Sequence, residues 1–281
     1  MSITMEACGA ATTVQDLGRY GHLASGVGIS GAFDQHALAL ANRLVGNQVS
    51  DAGLEVLGGG VRIAANRATV AAVTGARGPI TVNERVVARN VPVVMRSGDV
   101  LAIAHPTAGL RSYVAFAGGI NATAVLGSRS RDTLAQLGPA PLAAGDVLAL
   151  GHHLGDVPSV DIPIERALAH VLRVLPGPHA RYFYPDALTK LTSHEYEVSS
   201  HSDRIGVRFI GPALARIPDM ELPSAPMVRG AIQVPPDGAP VMLGPDHPVT
   251  GGYPVIAVTV RSSIDAAAQL TPGQIVRFIL A

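Results

Sequence analysis

Apolar and polar positions alternate in short runs along most of this chain, and Gly, Pro, Asn and Asp separate the runs. Alternation of this kind buries one face of a strand, and the punctuating residues turn the chain back. Between Val61 and Ala117 the pattern predicts strand after strand: Ala68–Val73, Ile80–Val82, Val91–Met95, Val100–Ala104 and Ser112–Ala117. Three segments, Ser97–Ile103, Ala144–Leu150 and Pro272–Phe278, share a hairpin signature of a small residue or Pro, then Gly, a polar residue and alternating apolar positions. The period changes at Asp34–Val45, where Ala37, Leu38, Ala41, Leu44 and Val45 fall on one stripe and Gly46 or Asn47 supplies a stop. That is a helix, and shorter ones are predicted at Pro185–Leu191 and Ser263–Leu270.

Two stretches look like openings, Ile3–Gln15 and Val171–Pro178, and Gly155–Ile164 between them has no period and reads as a linker. The pattern therefore divides into two β-rich lobes, 1–157 and 168–281. With 281 residues, 48% hydrophobic and 15% charged, each lobe can hold a core. The 31 Gly and 21 Pro, with no Trp, favour a mainly β fold with a few short helices.

Charge and rare residues exclude several functions. The formal net charge is zero, so the basic footprint that nucleic acid requires is missing. Cys8 is the only cysteine, which excludes an internal disulfide and a cysteine-cluster metal site. No signal-peptide pattern opens the chain and no apolar run is long enough to span a bilayer, so a soluble, cytoplasmic protein without a membrane partner is expected. Lys190 is the only lysine and follows no Gly-rich turn, so there is no Walker A loop. It also lacks the flanking methionines of a biotin-attachment hairpin.

Candidate chemistry is concentrated between Gln233 and Pro254, where Gln233, Asp237, Asp246, His247, Thr250 and Tyr253 lie along turns stiffened by Pro and Gly. Stiff turns hold small polar groups in fixed geometry, although a proline-rich connection between barrel strands is the other reading of the same residues. Only Val241–Leu243 reads as a strand here, about 10 Å long, with Asp237 before it and Asp246 after it. The expectation is that both carboxylates face one pocket, lined also by Gln233 and Tyr253. Near the N-terminus, Gln15, Asp16 and Arg19 precede Ser30-Gly31-Ala32-Phe33-Asp34. Ser30 or Asp34 can cap the helix, or the Gly-rich approach can bind an anion. A buried Asp–Arg pair in this run would need a reason to be there. Ser202, Asp203 and Arg204 form another polar turn, and Gly127–Asp132 a third that could bind an anion. His152 and His153 are adjacent and cannot chelate together on a strand, and no G-x-S-x-G elbow supports a serine hydrolase.

These motifs resemble, in order and across almost the whole chain, a known family. They are Thr12–Arg19, Ser30–Asp34, Leu44–Asn47, Leu126–Ser130, Ser202–Gly206, Gly230–Gly238 and Thr250–Pro254. The family is that of the 5-oxoprolinase C subunit, also called allophanate hydrolase subunit 2, KipA-like, or the urea carboxylase-related biotin-dependent carboxyltransferase domain. Pro248 and Val249 stand where the family has polar residues. The resemblance implies two cyclophilin-like β-barrel lobes. It implies ATP-dependent opening of 5-oxo-L-proline to L-glutamate, with Mg2+, in a complex with the 5-oxoprolinase B subunit (allophanate hydrolase subunit 1 or KipI-like) and A subunit. The alternatives are carboxyl transfer to urea or a related amide from biotin carried by another protein, and a regulatory KipA-like binding protein.

By residue type and motif position, Asp237 and Asp246 would contact a metal or the substrate amide. Gln233, Thr250 and Tyr253 would orient the amide. Arg204, with Ser202 and Asp203, would hold a carboxylate or phosphate, and Gln15 and Arg19 would also contact the small-molecule amide substrate.

Overall fold

The structure, a computed structural model, describes residues 1–152, 156–158, 170–218, 220 and 222–281. The expected linker Gly155–Ile164 lies outside these apart from residues 156–158. The chain forms two compact units: residues 1–20, 30–132 and 136–167, and residues 21–29, 133–135 and 168–281.

The first unit holds two sheets. One has six strands in the order Val147–Ala149, Ser2–Cys8, Val61–Ala65, Val100–Ile103, Ile80–Val82 and Arg85–Val86. The other has five, in the order Ala11–Gln15, Gly53–Leu57, Ala108–Phe116, Thr69–Arg77 and Val93–Met95. Ile3, Met5 and Ile63 from the first sheet share one core cluster with Leu54, Val73 and Val114 from the second. Helix α1 (Gln35–Leu44) covers the five-stranded sheet and packs Ala41 and Leu44 against Ala72 and Ala115. The Asp34 carboxylate caps the helix by accepting from the Ala37 N–H at 2.9 Å. At the other end Gly46 takes φ 73°, a value that favours glycine and stops the helix.

The second unit is a closed barrel of seven strands, in the order Val171–Pro176, Val255–Thr259, Ala231–Gln233, Val241–Leu243, Gly206–Ile210, Glu195–Val198 and Ile275–Leu280. Val171–Pro176 closes the barrel by pairing parallel with Ile275–Leu280, while the other pairings are antiparallel. Closure leaves no free sheet edge, and alternate residues point inward. Tyr196, Phe209 and Phe278 meet edge-to-face in the interior, with centroids 5.6 and 5.1 Å apart. Helices α2 (Ala187–Ser193) and α3 (Arg261–Ala267) and a small ribbon of Ala225–Pro226 with Thr250–Gly251 complete the unit. Both helices begin and end within a few residues of the expected positions. The fold is mainly β, as the alternation and turn composition imply.

Candidate functional site

In the first unit, two sequence motifs far apart in the chain are brought together. Asp16 follows the strand Ala11–Gln15, and its carboxylate accepts four hydrogen bonds. Gly18 N–H (2.8 Å), Ser128 Oγ (2.7 Å) and Ser130 Oγ (2.5 Å) donate to Oδ1, and Arg129 N–H (2.6 Å) donates to Oδ2. Gln15 Nε2 donates to the Arg131 carbonyl at 2.9 Å and to Thr13 Oγ1 at 3.1 Å. Arg19 Nη2 donates to the Ser130 carbonyl, and Nη1 stands 3.8 Å from Asp132. Gly31, at φ 88°, passes so close to Leu17 that a Cβ there would lie 2.8 Å from its backbone.

Gln15 and Arg19 are 0% and 1% exposed. The expectation that they contact substrate meets a correction of placement: both are sealed against the 130–131 backbone, and in this conformation solvent cannot reach them. Asp16 is held by hydroxyls and backbone N–H groups, and the carboxylate near Arg19 is that of Asp132.

A second buried network was not anticipated. Glu55 Oε2 accepts from the Phe33 N–H and from the Tyr113 hydroxyl, both at 2.8 Å, and that hydroxyl accepts from the Asp34 N–H at 2.7 Å. Arg111 lies 3.6 Å from Glu55 and stacks over the Phe33 ring at 4.7 Å. Burial, then the nearby charges of Glu55 and Asp34, hold the Tyr113 phenol well above its ordinary range. The available signal was a carboxylate in an otherwise apolar strand, Gly53–Leu57. These groups fix the entry to α1.

In the second unit, Arg204 and Asp246 form a buried two-point ion pair. Arg204 Nε and Nη2 donate to the two carboxylate oxygens at 2.8 and 2.9 Å, and Thr133 donates to Oδ2 through both N–H and Oγ1. Gly244 permits this closeness, because a Cβ there would lie 2.2 Å from the Arg204 carbonyl oxygen. Asp203 spends Oδ1 on the Ile205 and Gly206 N–H groups of its own turn. Ser202 Oγ accepts from the Arg208 N–H.

The pocket expected to be shared by Asp237 and Asp246 does not form. Asp237 lies exposed in the turn before Val241–Leu243 and accepts from the Ala239 N–H at 3.0 Å. Asp246, at the other end of that strand, is 1% exposed and committed to Arg204 and Thr133. The physical reason is charge pairing: a carboxylate withdrawn from water takes a cation, whereas a turn carboxylate stays solvated and bonds its own backbone.

Gln233 and Tyr253 are brought together. Gln233 is buried, and Nε2 donates to the Tyr253 carbonyl at 3.1 Å. Gly251 lets the two approach closely: a Cβ there would stand 2.8 Å from that Nε2 and would push the amide aside. Thr250 is exposed and pairs with Pro226 in the small ribbon. Tyr253, 45% exposed, borders a cavity of about 530 Å3 with Gly252, Pro236, Arg216, Ile217, Pro218, Met220 and Leu222. Arg216 was not among the expected residues. Its only sequence signal is a cation in the apolar, proline-containing run Ala215–Pro218.

The implied metal does not fit the described residues. No group of three or more His, Cys, Asp or Glu among them could hold a metal ion. Of the two aspartates assigned to that role, Asp246 is spent on Arg204 and Asp237 on its own turn. Lys190 lies within α2, so it offers neither a phosphate loop nor a biotin hairpin. No helix among the described residues is long and apolar enough to cross a membrane.

A seven-stranded barrel and a unit of two sheets, carrying these motifs, define a carboxyltransferase-type fold. The chain belongs to the family described as carboxyltransferase domain, subdomain A and B, whose model matches residues 25–280. It is similar to the C subunit of 5-oxoprolinase from Escherichia coli (strain K12), with 34% identity over 95% of this chain and 87% of that protein. It is also similar to urea amidolyase of Saccharomyces cerevisiae, with 32% identity over 96% of this chain but only 16% of that protein. The crystal structure of Kluyveromyces lactis urea carboxylase superposes with a TM-score of 0.91 at 30% identity, covering 99% of this chain and 27% of that one.

Proposed function

We propose that this chain is the C-type component of an ATP-dependent 5-oxoprolinase assembly, a hydrolase that opens 5-oxo-L-proline to L-glutamate. The observation that carries this reading is the likeness to the 5-oxoprolinase C subunit, which extends over 87% of that protein's length at 34% identity. The urea amidolyase match spans a small fraction of a much longer protein. A lactam is unreactive until activated, and no group of three or more His, Cys, Asp or Glu among the described residues could hold a metal ion. Partners of the A and B types would supply the nucleotide and its Mg2+, and this chain would contribute part of the substrate site. The test is to co-express the chain with such partners and measure ATP-dependent glutamate release. Absence of release from an intact assembly would overturn the reading.

A second reading has its own support. The family is named for carboxyl transfer, and relatives include urea amidolyase. Biotin would then arrive on another protein, because Lys190 lies in a helix. Biotin-dependent transfer of labelled bicarbonate to urea, without glutamate release, would select it.

A further inference from the structure

Resting on the 5-oxoprolinase reading, we propose that the cavity beside Tyr253 seats the substrate and that Arg216 selects it by its carboxylate. Arg216 is half-buried and lines the cavity. Among the described residues its guanidinium has neither hydrogen bond nor ion pair, in contrast to Arg204, whose charge is taken up by Asp246. A guanidinium partly withdrawn from water, with no counter-charge among the described residues, is poised to take an anion, and its planar fork matches a carboxylate with two parallel bonds.

The other walls describe the rest of the ligand. Ile217, Pro218, Met220 and Leu222 offer apolar surface to ring methylenes. Tyr253 presents an exposed ring whose hydroxyl can donate to a carbonyl or accept from an N–H. Its backbone is fixed by Gln233, which acts as a positioning residue. Among the described lining residues, one cation, an apolar wall and one phenol together suit a small cyclic amide bearing a carboxylate. Urea has neither a carboxylate for Arg216 nor methylenes for the wall. At about 530 Å3 the cavity is in the range of ligand pockets and larger than one such molecule, which leaves room for a second reactant or a side chain from a partner.

The test is a ligand-observed NMR titration of the full chain with 5-oxo-L-proline, with 2-pyrrolidinone, which lacks the carboxylate, and with urea. The expected result is that 5-oxo-L-proline binds at least about 10-fold more tightly than 2-pyrrolidinone, the scale of a charge-assisted pair. Arg216→Gln should abolish that difference. Arg216→Lys, which keeps the charge but loses the fork, should retain only part of it, and carries the test if the glutamine variant fails to fold. Equal affinities, unchanged binding by Arg216→Gln, or no binding of 5-oxo-L-proline would each overturn the proposal. Its failure is separable from that of the functional reading. Glutamate release with an unaltered KM in an Arg216→Gln assembly removes this site and leaves the function standing. Arg216-dependent binding without glutamate release from the intact assembly does the reverse.

Discussion

Asp246 keeps both carboxylate oxygens inside the second unit, where Arg204 and Thr133 take them up. Removing one partner of such a pair leaves the other charge buried without compensation, which costs about 3–5 kcal/mol. Asp246→Ala should therefore lose stability on that scale in guanidinium chloride denaturation, with the midpoint moving far below that of the wild type. Asp237 is exposed, and its carboxylate bonds the Ala239 N–H of its own turn. Asparagine can make the same bond, so Asp237→Asn should stay within about 0.5 kcal/mol of the wild type. A large loss in Asp237→Asn would mean that the turn carries a charge interaction absent from this geometry.

Helix α1 depends on its first turn. Its N-cap is Asp34, and the backbone N–H of the same residue is held by Tyr113. Replacing a capping aspartate by alanine typically costs about 1 kcal/mol. Asp34→Ala should lower stability by at least that much, read from the same denaturation curves. Little change would show that the Glu55–Tyr113 network alone sets the helix entry. The barrel has a different dependence, centred on Tyr196. This side chain is 1% exposed, its hydroxyl donates to the Pro212 carbonyl at 3.2 Å, and burial pushes its pKa up to about 12. The folded value lies above the ordinary one of 10.0, so the neutral phenol's contribution is fully present below pH 10 and is lost as the pH rises toward 12. Tyr196→Phe should shallow the fall of Tm across that window. Tyr113 titrates in the same sense, so part of the alkaline slope will remain. An identical slope in the variant would contradict the assignment.

The chain has a formal net charge of zero, one lysine and one cysteine. Among the described residues it offers no cluster for a metal. Purified alone, it should bind substrate without turning it over. The measurement is ATP-dependent glutamate release from the isolated chain, expected at background and rising only when the partner proteins are added. Robust release from the chain by itself would sink the multi-component reading. The likeness to one named component of a larger enzyme points the same way.

Local order was legible before the fold. The stripe from Ala37 to Val45 gave α1, and Ile80–Val82 and Val100–Ile103 followed from alternation bounded by Gly and Asp. Such patterns are properties of neighbouring residues, so no distant partner is needed to read them. The run of motifs likewise placed the chain in its family, because each motif is a local string. The identity of each polar side chain's partner was not local. Asp16 meets Ser128 across 112 positions and Arg204 meets Asp246 across 42, and both encounters exist only once the strands have paired. Motif position grouped Asp237 with Asp246, but the strand between them sends one to solvent and the other into a buried ion pair. Arg216 drew no notice in the chain because nothing beside it in sequence gives it chemistry. Residue types and their spacing thus determined the elements and the family. Barrel closure decided which charges are spent on one another and which guanidinium is left facing a cavity, because burial and pairing depend on contacts that the linear order does not contain.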